Sequence, residues 1–519
     1  MNQFRLGQRL GTVSTASFRR SHNESLIDTL AHRKDITFAW SRIQAGEDEQ
    51  NVSSGSKGLP PYIAHRAGVN CLAIDQIEGR FLFSGGADSA VRLWDLEEHV
   101  HGHAVTWSPP SITKSTPKAT LTKATVNSHT HALTSLSIYP FDPTPSTLLT
   151  TSYDKTLKVH SITPSSLTPL HSFNLEFTPY THSISPLPDS PPLIAVGTAH
   201  PSIRLLDLRS GLSTHSLSGP NGAVYTLSWS PKQSHILASG SADGKVLFFD
   251  IRRANAAFAS LDADDAIGVI GTSVSTGLGR RHDLLDFNAV AHNGPVTSIQ
   301  WTPHGDKLIT SGHDQRIRVW DAASGRNDLV HFGPRVRNER QGSLTPLLSP
   351  LGFHRPGQES LFWPNDDGKG MIFQHHMREG HLLKILRTEG VRIADVQAKA
   401  KRGGPANLGR LTSGGRINAM VWRSHAQMGE GLEMYTAHGD GRICAWLPSY
   451  AADAEGEHEA EHEEEKKGKA KIEQPAFVEQ DTAPAPTPVV DEAELKRKRK
   501  RDMLEDMLGG LSKQSMRFS

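Results

Sequence analysis

An all-β closed ring is predicted by three observations. One hairpin unit recurs six times along the middle of the chain, most copies keep a fixed step of six residues from a turn Asp to an aromatic, and the residues in between alternate in character. The copies are FLFSGGADSAVRLWD ending at Asp95, LLTTSYDKTLKVH at His160, ILASGSADGKVLFFD at Asp250, LITSGHDQRIRVWD at Asp321 and MYTAHGDGRICAW at Trp446. A fainter copy, LIAVGTAHPSIRLLD, ends at Asp207, with His200 in place of the turn Asp and Leu206 in place of the aromatic.

The step from Asp to aromatic is the same in Asp88/Trp94, Asp243/Phe249, Asp314/Trp320 and Asp440/Trp446. Val91 and Leu93, Leu157 and Val159, Val246 and Phe248, and Ile317 and Val319 alternate with their neighbours, the period of a strand whose side chains face opposite ways. An Asp in a tight turn can bond nearby backbone N–H groups, and the small residues around it permit the reversal. Further strands with their own aromatics lie upstream, in AVYTLSWSP, PVTSIQWTP and RINAMVW. Four strands per repeat with Gly-His and Trp-Asp signatures are the pattern of a WD-repeat β-propeller. We read His65, Asp88, Trp94, Asp154, Asp243, His292, Asp314, Trp320, Asp440 and Trp446 as structural, a buried hydrogen-bonded set within each blade, because buried polar groups require partners.

Taken in order, residues 1–60 read as an N-terminal helical arm and flexible linker. Ser21 and Glu24 have capping-box spacing and precede Leu26, Ile27 and Leu30, which predicts a short helix ending near Arg33. Phe4, Leu6 and Leu10 mark an earlier helix, and AGEDEQNVSSGSKGLPP is a flexible linker. A short amphipathic arm outside a closed ring either folds back on the propeller or docks in a partner's groove; length does not choose between them, and docking is the favoured expectation. Residues 61–450 hold six readable blades and a degenerate sixth around Trp363 and Phe373, making seven. Polar stretches at 97–128, 254–288 and 391–412 read as rim loops. His99, His101 and His103 in the first have no accompanying Cys, so no metal site is expected.

Residues 451–519 are expected to form a disordered tail. It carries the charge-rich run AEGEHEAEHEEEKKGKAK, whose His458 and His462 lack companion ligands, then DTAPAPTPVV. The cluster Lys496, Arg497, Lys498, Arg499, Lys500 and Arg501 follows and points to nuclear import, so the expected location is the nucleus. Met503, Leu504, Met507 and Leu508 beyond it form a small apolar helical face.

Composition narrows the function. With 519 residues, 36% hydrophobic and 21% charged, the chain can bury one large core and leave tails. No apolar run of membrane-spanning length is present, and no membrane association is expected. The formal net charge of +1 supplies no field for gathering nucleic acid, so no direct contact is expected outside the basic tail, where import is favoured over nucleic-acid binding. Cys71 and Cys444, the two cysteines, lie in strand-like runs and read as small buried hydrophobes. No nucleophile/base motif, phosphate loop or metal-ligand spacing occurs, which disfavours an enzyme and any cofactor.

Several segments reach beyond the general WD pattern. They are SFRRSHNES before the ring, IEGRFLFSGGADSAVRLWDLE, SYDKTLKVHSI, FNLEF, YTHSISP, LIAVGT, SWSPKQSHILASGSADGKVLFFDIRRA, AHNGPVTSI, RVWDAASGRNDLVHFG and GDGRICAWLPS. In this order, across roughly residues 16 to 450, the chain resembles the Cockayne syndrome group A protein family. The resemblance implies a non-catalytic substrate receptor in transcription-coupled nucleotide excision repair. Such a receptor joins a cullin-4 RING ubiquitin ligase through the damaged-DNA-binding protein 1 adaptor and acts where RNA polymerase II and its repair-coupling remodelling factor have stalled. It also implies docking through the N-terminal arm, with Leu26, Ile27 and Leu30 as candidate contacts, and through an Arg that closes a blade. The best match to that Trp-Asp-x-Arg box is Phe249, Asp250, Ile251, Arg252, and a second is Leu206, Asp207, Leu208, Arg209. Asp250, Arg252 and Arg209 are therefore candidate adaptor contacts, since a guanidinium at a strand end can offer forked bonds. The competing expectation is a general nuclear WD-repeat scaffold with no ligase link.

Overall fold

A computed structural model of the chain describes residues 10–12, 14–40, 63–97, 113–142, 144–188, 192–253, 257–263, 268–269, 289–339, 344–355, 357–388, 415–423 and 431–448. These residues form a seven-bladed β-propeller with one helix. The arm's Phe4 and Leu6, the histidines at 99, 101 and 103, the loops 270–288 and 391–412, and everything beyond 448, including Lys496–Arg501, lie outside the described residues.

Blade 1 comprises Val69–Ile74, Phe81–Gly86, Val91–Asp95 and Ala119–Leu121. Blade 2 runs through Leu133–Ile138, Thr147–Ser152, Thr156–Thr163 and Ser166–Asn174, and blade 3 through Pro179–Ile184, Leu193–Thr198, Ser202–Asp207 and Leu212–Ser218. Blade 4 has Val224–Trp229, Ile236–Ser241, Val246–Asp250 and Ala259–Ser260, with Gly268–Val269 added outside. Blade 5 has Val296–Trp301, Lys307–Gly312 and Ile317–Asp321. Blade 6 has Leu347–Leu348, Ser360–Pro364, Met371–His376 and Leu382–Arg387, so the degenerate repeat around Trp363 and Phe373 is a blade. Within each blade neighbouring strands pair antiparallel.

The seventh blade corrects the boundary expected at residue 61. Its three inner strands are Ile417–Arg423, Glu433–His438 and Ile443–Pro448, but the outermost is Leu30–Arg33 from the N-terminal arm, with Leu30 opposite Pro448 and Arg33 opposite Ala445. Ring closure therefore joins the two ends of the fold. Ile36–Phe38 then pairs in parallel with Thr113–Ser115, which places strands inside the stretch 97–128 expected to be only a rim loop.

The helix, α1, spans Thr15–Asp28 and starts earlier than the Ser21/Glu24 pair suggests. Ser14 caps it, accepting from the Ser17 N–H at 3.1 Å, and no Gly or Pro interrupts TASFRRSHNESLID. Ser21 thus sits inside the helix. Thr29 ends it because the next residues are taken by blade 7. No helix among the described residues is long and apolar enough to cross a membrane.

The core lies between blades. Seven apolar clusters fill the seven joints, from Phe83, Val91, Leu133 and Leu148 between blades 1 and 2 to Ile36, Phe38, Trp94, Tyr435 and Ala445 between blades 7 and 1. Each inner strand presents alternate apolar residues to the two adjacent joints, which the period-two patterning requires.

Candidate functional site

The turn residues separate what holds the ring from what it can offer a partner. In five hairpins the Asp carboxylate accepts the N–H two residues on, at 3.1 to 3.2 Å: Asp88 from Ala90, Asp154 from Thr156, Asp243 from Lys245, Asp314 from Arg316 and Asp440 from Arg442. The residue between takes positive φ, at Ser89, Lys155, Gly244, Gln315 and Gly441. This is an Asx-turn, and it explains the fixed position of the Asp.

From two of these turns a buried relay links the second and third strands to the segment that precedes the first. In blade 1 the Trp94 indole N–H donates to Ser84 Oγ at 2.8 Å, Ser84 Oγ bonds His65 Nε2 at 2.8 Å, and His65 Nδ1 bonds Asp88 at 2.9 Å. Blade 5 repeats it with Trp320, Thr310, His292 and Asp314 at 2.9, 2.7 and 3.0 Å. Gly86 and Gly312 are needed where the relay passes, because a Cβ would lie 2.3 and 2.6 Å from the imidazole Nδ1 of His65 and His292. Burial pushes the His65 and His292 pKa values down. Burial would raise those of Asp88 and Asp314, but the bonds from the histidines and from Arg92 and Arg318 outweigh it and hold both carboxyls well below the usual range.

The other blades show what the motif alone concealed. Blade 2 uses His129, which the repeat pattern missed: His129 bonds Asp154 and Thr150, each at 2.8 Å, and His160 takes the indole's place on Thr150. Its signal was present, a His 25 residues before the turn Asp where His65 precedes Asp88 by 23. In blade 7 Trp446 donates to Thr436, which is bonded by His438 rather than by an upstream His. Blade 4 has Phe249 and no His, and Ser239 Oγ is left without a partner. Blade 3 has Ile194 opposite Leu206, an apolar pair.

With these groups internal, the candidate contacts are those at the opposite strand ends. Asp207 and Asp250 finish the third strands of adjacent blades, away from the Asp turns. Asp250 is 5% exposed, and its carboxylate accepts Arg252 N–H at 3.0 Å, Nε at 3.1 Å and Nη2 at 3.0 Å. Arg253 approaches the same carboxylate at 3.5 Å. The fork of Arg252 is thus spent on its own blade, while its side chain remains 64% exposed. Asp250 is corrected from a contact residue to the group that orients Arg252, because its oxygens are occupied and buried. At the second box, the Arg209 N–H bonds Asp207 at 2.8 Å and its side chain is exposed, while Leu206 is core.

The arm is corrected more strongly. Leu26, Ile27 and Leu30 are 5%, 0% and 0% exposed and pack with Phe353, Phe362, Ile372, Met420, Met434 and Trp446 at the joint of blades 6 and 7. Lys384 Nζ bonds the Asp28 and Leu30 carbonyls at 2.8 and 3.0 Å, and Asn23 bonds the Gly352 carbonyl at 3.2 Å. The apolar side of α1 is satisfied within the ring, so these three side chains are not available to a groove on another protein. What α1 does expose is its first turns, Thr15, Ala16, Ser17, Arg19 and Arg20. Cys71 and Cys444 are free and buried, with burial pushing both thiols up to about 12, which suits small core residues.

Comparison with known proteins agrees with this architecture. The WD domain, G-beta repeat family matches residues 58–95, 121–161, 211–250 and 286–321. The chain is similar to the WD repeat-containing protein ATCSA-1 of Arabidopsis thaliana, 30% identical over 319 residues, 52% of this chain and 69% of that protein. It is similar to ribosome biogenesis protein YTM1 of Pyricularia oryzae at 28% over 300 residues, covering 54% of this chain and 58% of that one. Histone acetyltransferase type B subunit 2 of Debaryomyces hansenii is 31% identical over 150 residues, 27% of this chain and 32% of that protein. The chain thus spans little more than half of the ribosome biogenesis relative.

Proposed function

The chain belongs to the WD-repeat protein family that includes ATCSA-1, and from that membership we propose that it is a Cockayne syndrome group A-type substrate receptor. In this reading the propeller binds the damaged-DNA-binding protein 1 adaptor of a cullin-4 RING ubiquitin ligase. It presents factors at stalled RNA polymerase II, including the repair-coupling remodelling factor, in transcription-coupled nucleotide excision repair in the nucleus. The receptor performs no chemistry itself. Holding a target beside a charged conjugating enzyme raises effective concentration, which is the receptor's contribution.

The observation that carries the reading is the segment SWSPKQSHILASGSADGKVLFFDIRRA, which matches the family beyond the WD pattern and ends in the Asp250–Arg252 pair. A buried carboxylate that pins an exposed guanidinium at the end of a blade presents a preorganised cation to an acidic or carbonyl-rich surface. The exposed turn of α1 with Arg19 and Arg20 supplies a second basic contact. The scaffold reading is favoured by the other relatives, which are named for ribosome biogenesis and histone acetylation.

Capture of purified adaptor by the full chain separates the two. Truncation at residue 33 is unsuitable because it removes the outer strand of blade 7. Arg252→Ala is expected to weaken capture roughly tenfold, the effect of a contact worth about 1.4 kcal/mol. Arg19→Glu with Arg20→Glu is expected to weaken it further. Unchanged capture by all variants would remove the docking surface, and no capture by the wild type would leave the scaffold.

A further inference from the structure

We propose that the hairpin between the last two strands of blade 6 is a zinc site, in which His376 and His381 supply imidazole nitrogens and Glu379 a carboxylate oxygen. One ligand atom from each of the three lies within 4.8 Å of the others. The two imidazoles stack with centroids 5.2 Å apart and planes 9° from parallel, and His381 Nδ1 is 3.1 Å from a Glu379 oxygen. Tetrahedral zinc with bonds near 2.0–2.1 Å places its ligand atoms about 3.3 Å apart. The separations must therefore close by at most roughly 1.5 Å, within reach of χ rotations at the exposed Glu379 and His381 beside a partly buried His376.

The backbone beneath is already set. The Gly380 N–H donates to the His376 carbonyl at 2.8 Å and the His376 N–H to the His381 carbonyl at 3.0 Å. Gly380 has φ +76°, and a Cβ there would lie 2.4 Å from the His331 carbonyl, so the turn is locked against the neighbouring loop. Binding at His376 exchanges one weak contact, the Glu379 N–H to His376 Nδ1 at 3.2 Å. Two imidazoles with one carboxylate suit zinc, nickel or copper rather than magnesium or calcium, and leave a fourth position for water or a partner's side chain.

The blade's construction gives the site a role. His375 pairs with Leu361 as Trp94 pairs with Leu82, so it occupies the position of the relay indole, and Trp363 stands where blade 1 has the Ser84 hydroxyl. Neither Trp363 Nε1 nor His375 Nε2 has a partner. Blade 6 lacks the relay, and a metal across its outer hairpin would tie together the two strands that the relay does not.

The test is zinc uptake by the full chain, measured by competition with a chromophoric chelator, with thermal unfolding alongside. Wild type is expected to bind one equivalent more than His376→Ala/His381→Ala, and zinc is expected to raise the unfolding temperature of wild type but not of the variant. Histidines elsewhere contribute equally to both chains, so the difference isolates this site. Glu379→Gln changes an exposed side chain and keeps the fold, so it decides the matter should the double variant be unstable. It is expected to weaken that equivalent at least tenfold. Equal uptake by wild type and variants, or no zinc-dependent stabilisation of wild type, overturns the proposal.

Discussion

Asp88→Ala is the most informative perturbation of the ring. The carboxylate accepts His65 Nδ1 at 2.9 Å, Arg66 N–H at 3.1 Å, Ala90 N–H at 3.2 Å and Arg92 Nη1 at 3.3 Å. Arg92 is 2% exposed, with its guanidinium 5.2 Å from the Trp40 ring. Removing the carboxylate leaves a buried cation without its counter-charge, a defect that costs about 3–5 kcal/mol. Asp243→Ala is the internal control, since Asp243 receives the Asn221 and Lys245 N–H groups and the Ser241 hydroxyl but lies beside no buried arginine. Its loss is expected to cost about 1–2 kcal/mol. Urea unfolding of both variants, followed by tryptophan fluorescence, reads the difference from the midpoints at constant slope. Asp88→Ala/Arg92→Met removes the stranded charge as well and is expected to recover part of the loss. An Asp88→Ala cost no greater than that of Asp243→Ala, or no recovery in the double variant, would refute the claim that Arg92 makes this turn different.

Two further predictions follow from burial. Burial lowers the pKa of His160 to about 3 and those of His182 and His438 to about 4, so all three remain neutral in the fold below the pH at which the unfolded chain protonates them. The unfolded state then binds more protons, so stability declines as pH falls from about 6.5 toward 4, by about 1.4 kcal/mol per unit for each group. The depressed Asp88, Asp154 and Asp314 withdraw their contributions at lower pH still. Acid titrations in urea should show the slope, and His182→Gln should reduce it; a flat profile between pH 6.5 and 4 would contradict the assignment. Ile27→Ala, at a fully buried position between blades 6 and 7, is expected to destabilise the ring by about 1–4 kcal/mol, whereas Arg19→Ala changes stability by less than about 0.5 kcal/mol. Equal effects in urea unfolding would mean that α1 does not pack on the propeller.

The internal logic of a blade was legible because it is local. A turn Asp, an αL residue and an aromatic six positions on lie within one hairpin, and alternation assigns each side chain between them to a face. Trp94 and Trp320 follow from that spacing, and His65 and His292 from the histidine position that precedes a WD blade. His129 did not, because blade 2 substitutes His160 for the indole and the pattern was read through its Trp. The helix was misplaced because capping-box spacing at Ser21 and Glu24 is common, and only the Ser14 cap shows where the first turn closes.

The candidate contacts were harder for a different reason. Leu26, Ile27 and Leu30 have the same amphipathic spacing whether they meet another protein or the ring's own seam. Strand pairing of Leu30–Arg33 with Ile443–Pro448 decides it, and that pairing joins residues more than 400 positions apart. Likewise a Phe-Asp-Ile-Arg tetrapeptide announces an arginine at a strand end, but its orientation depends on the buried Asp250.

From sequence alone came the all-β ring, its blade count and the turn Asp of five hairpins, since periodicity and turn chemistry act over a few residues. Tertiary structure alone decided how the ring closes, which apolar side chains of the arm are consumed in closing it, and which basic groups remain at the surface. Those outcomes depend on contacts between distant segments, for which a linear pattern carries no signal.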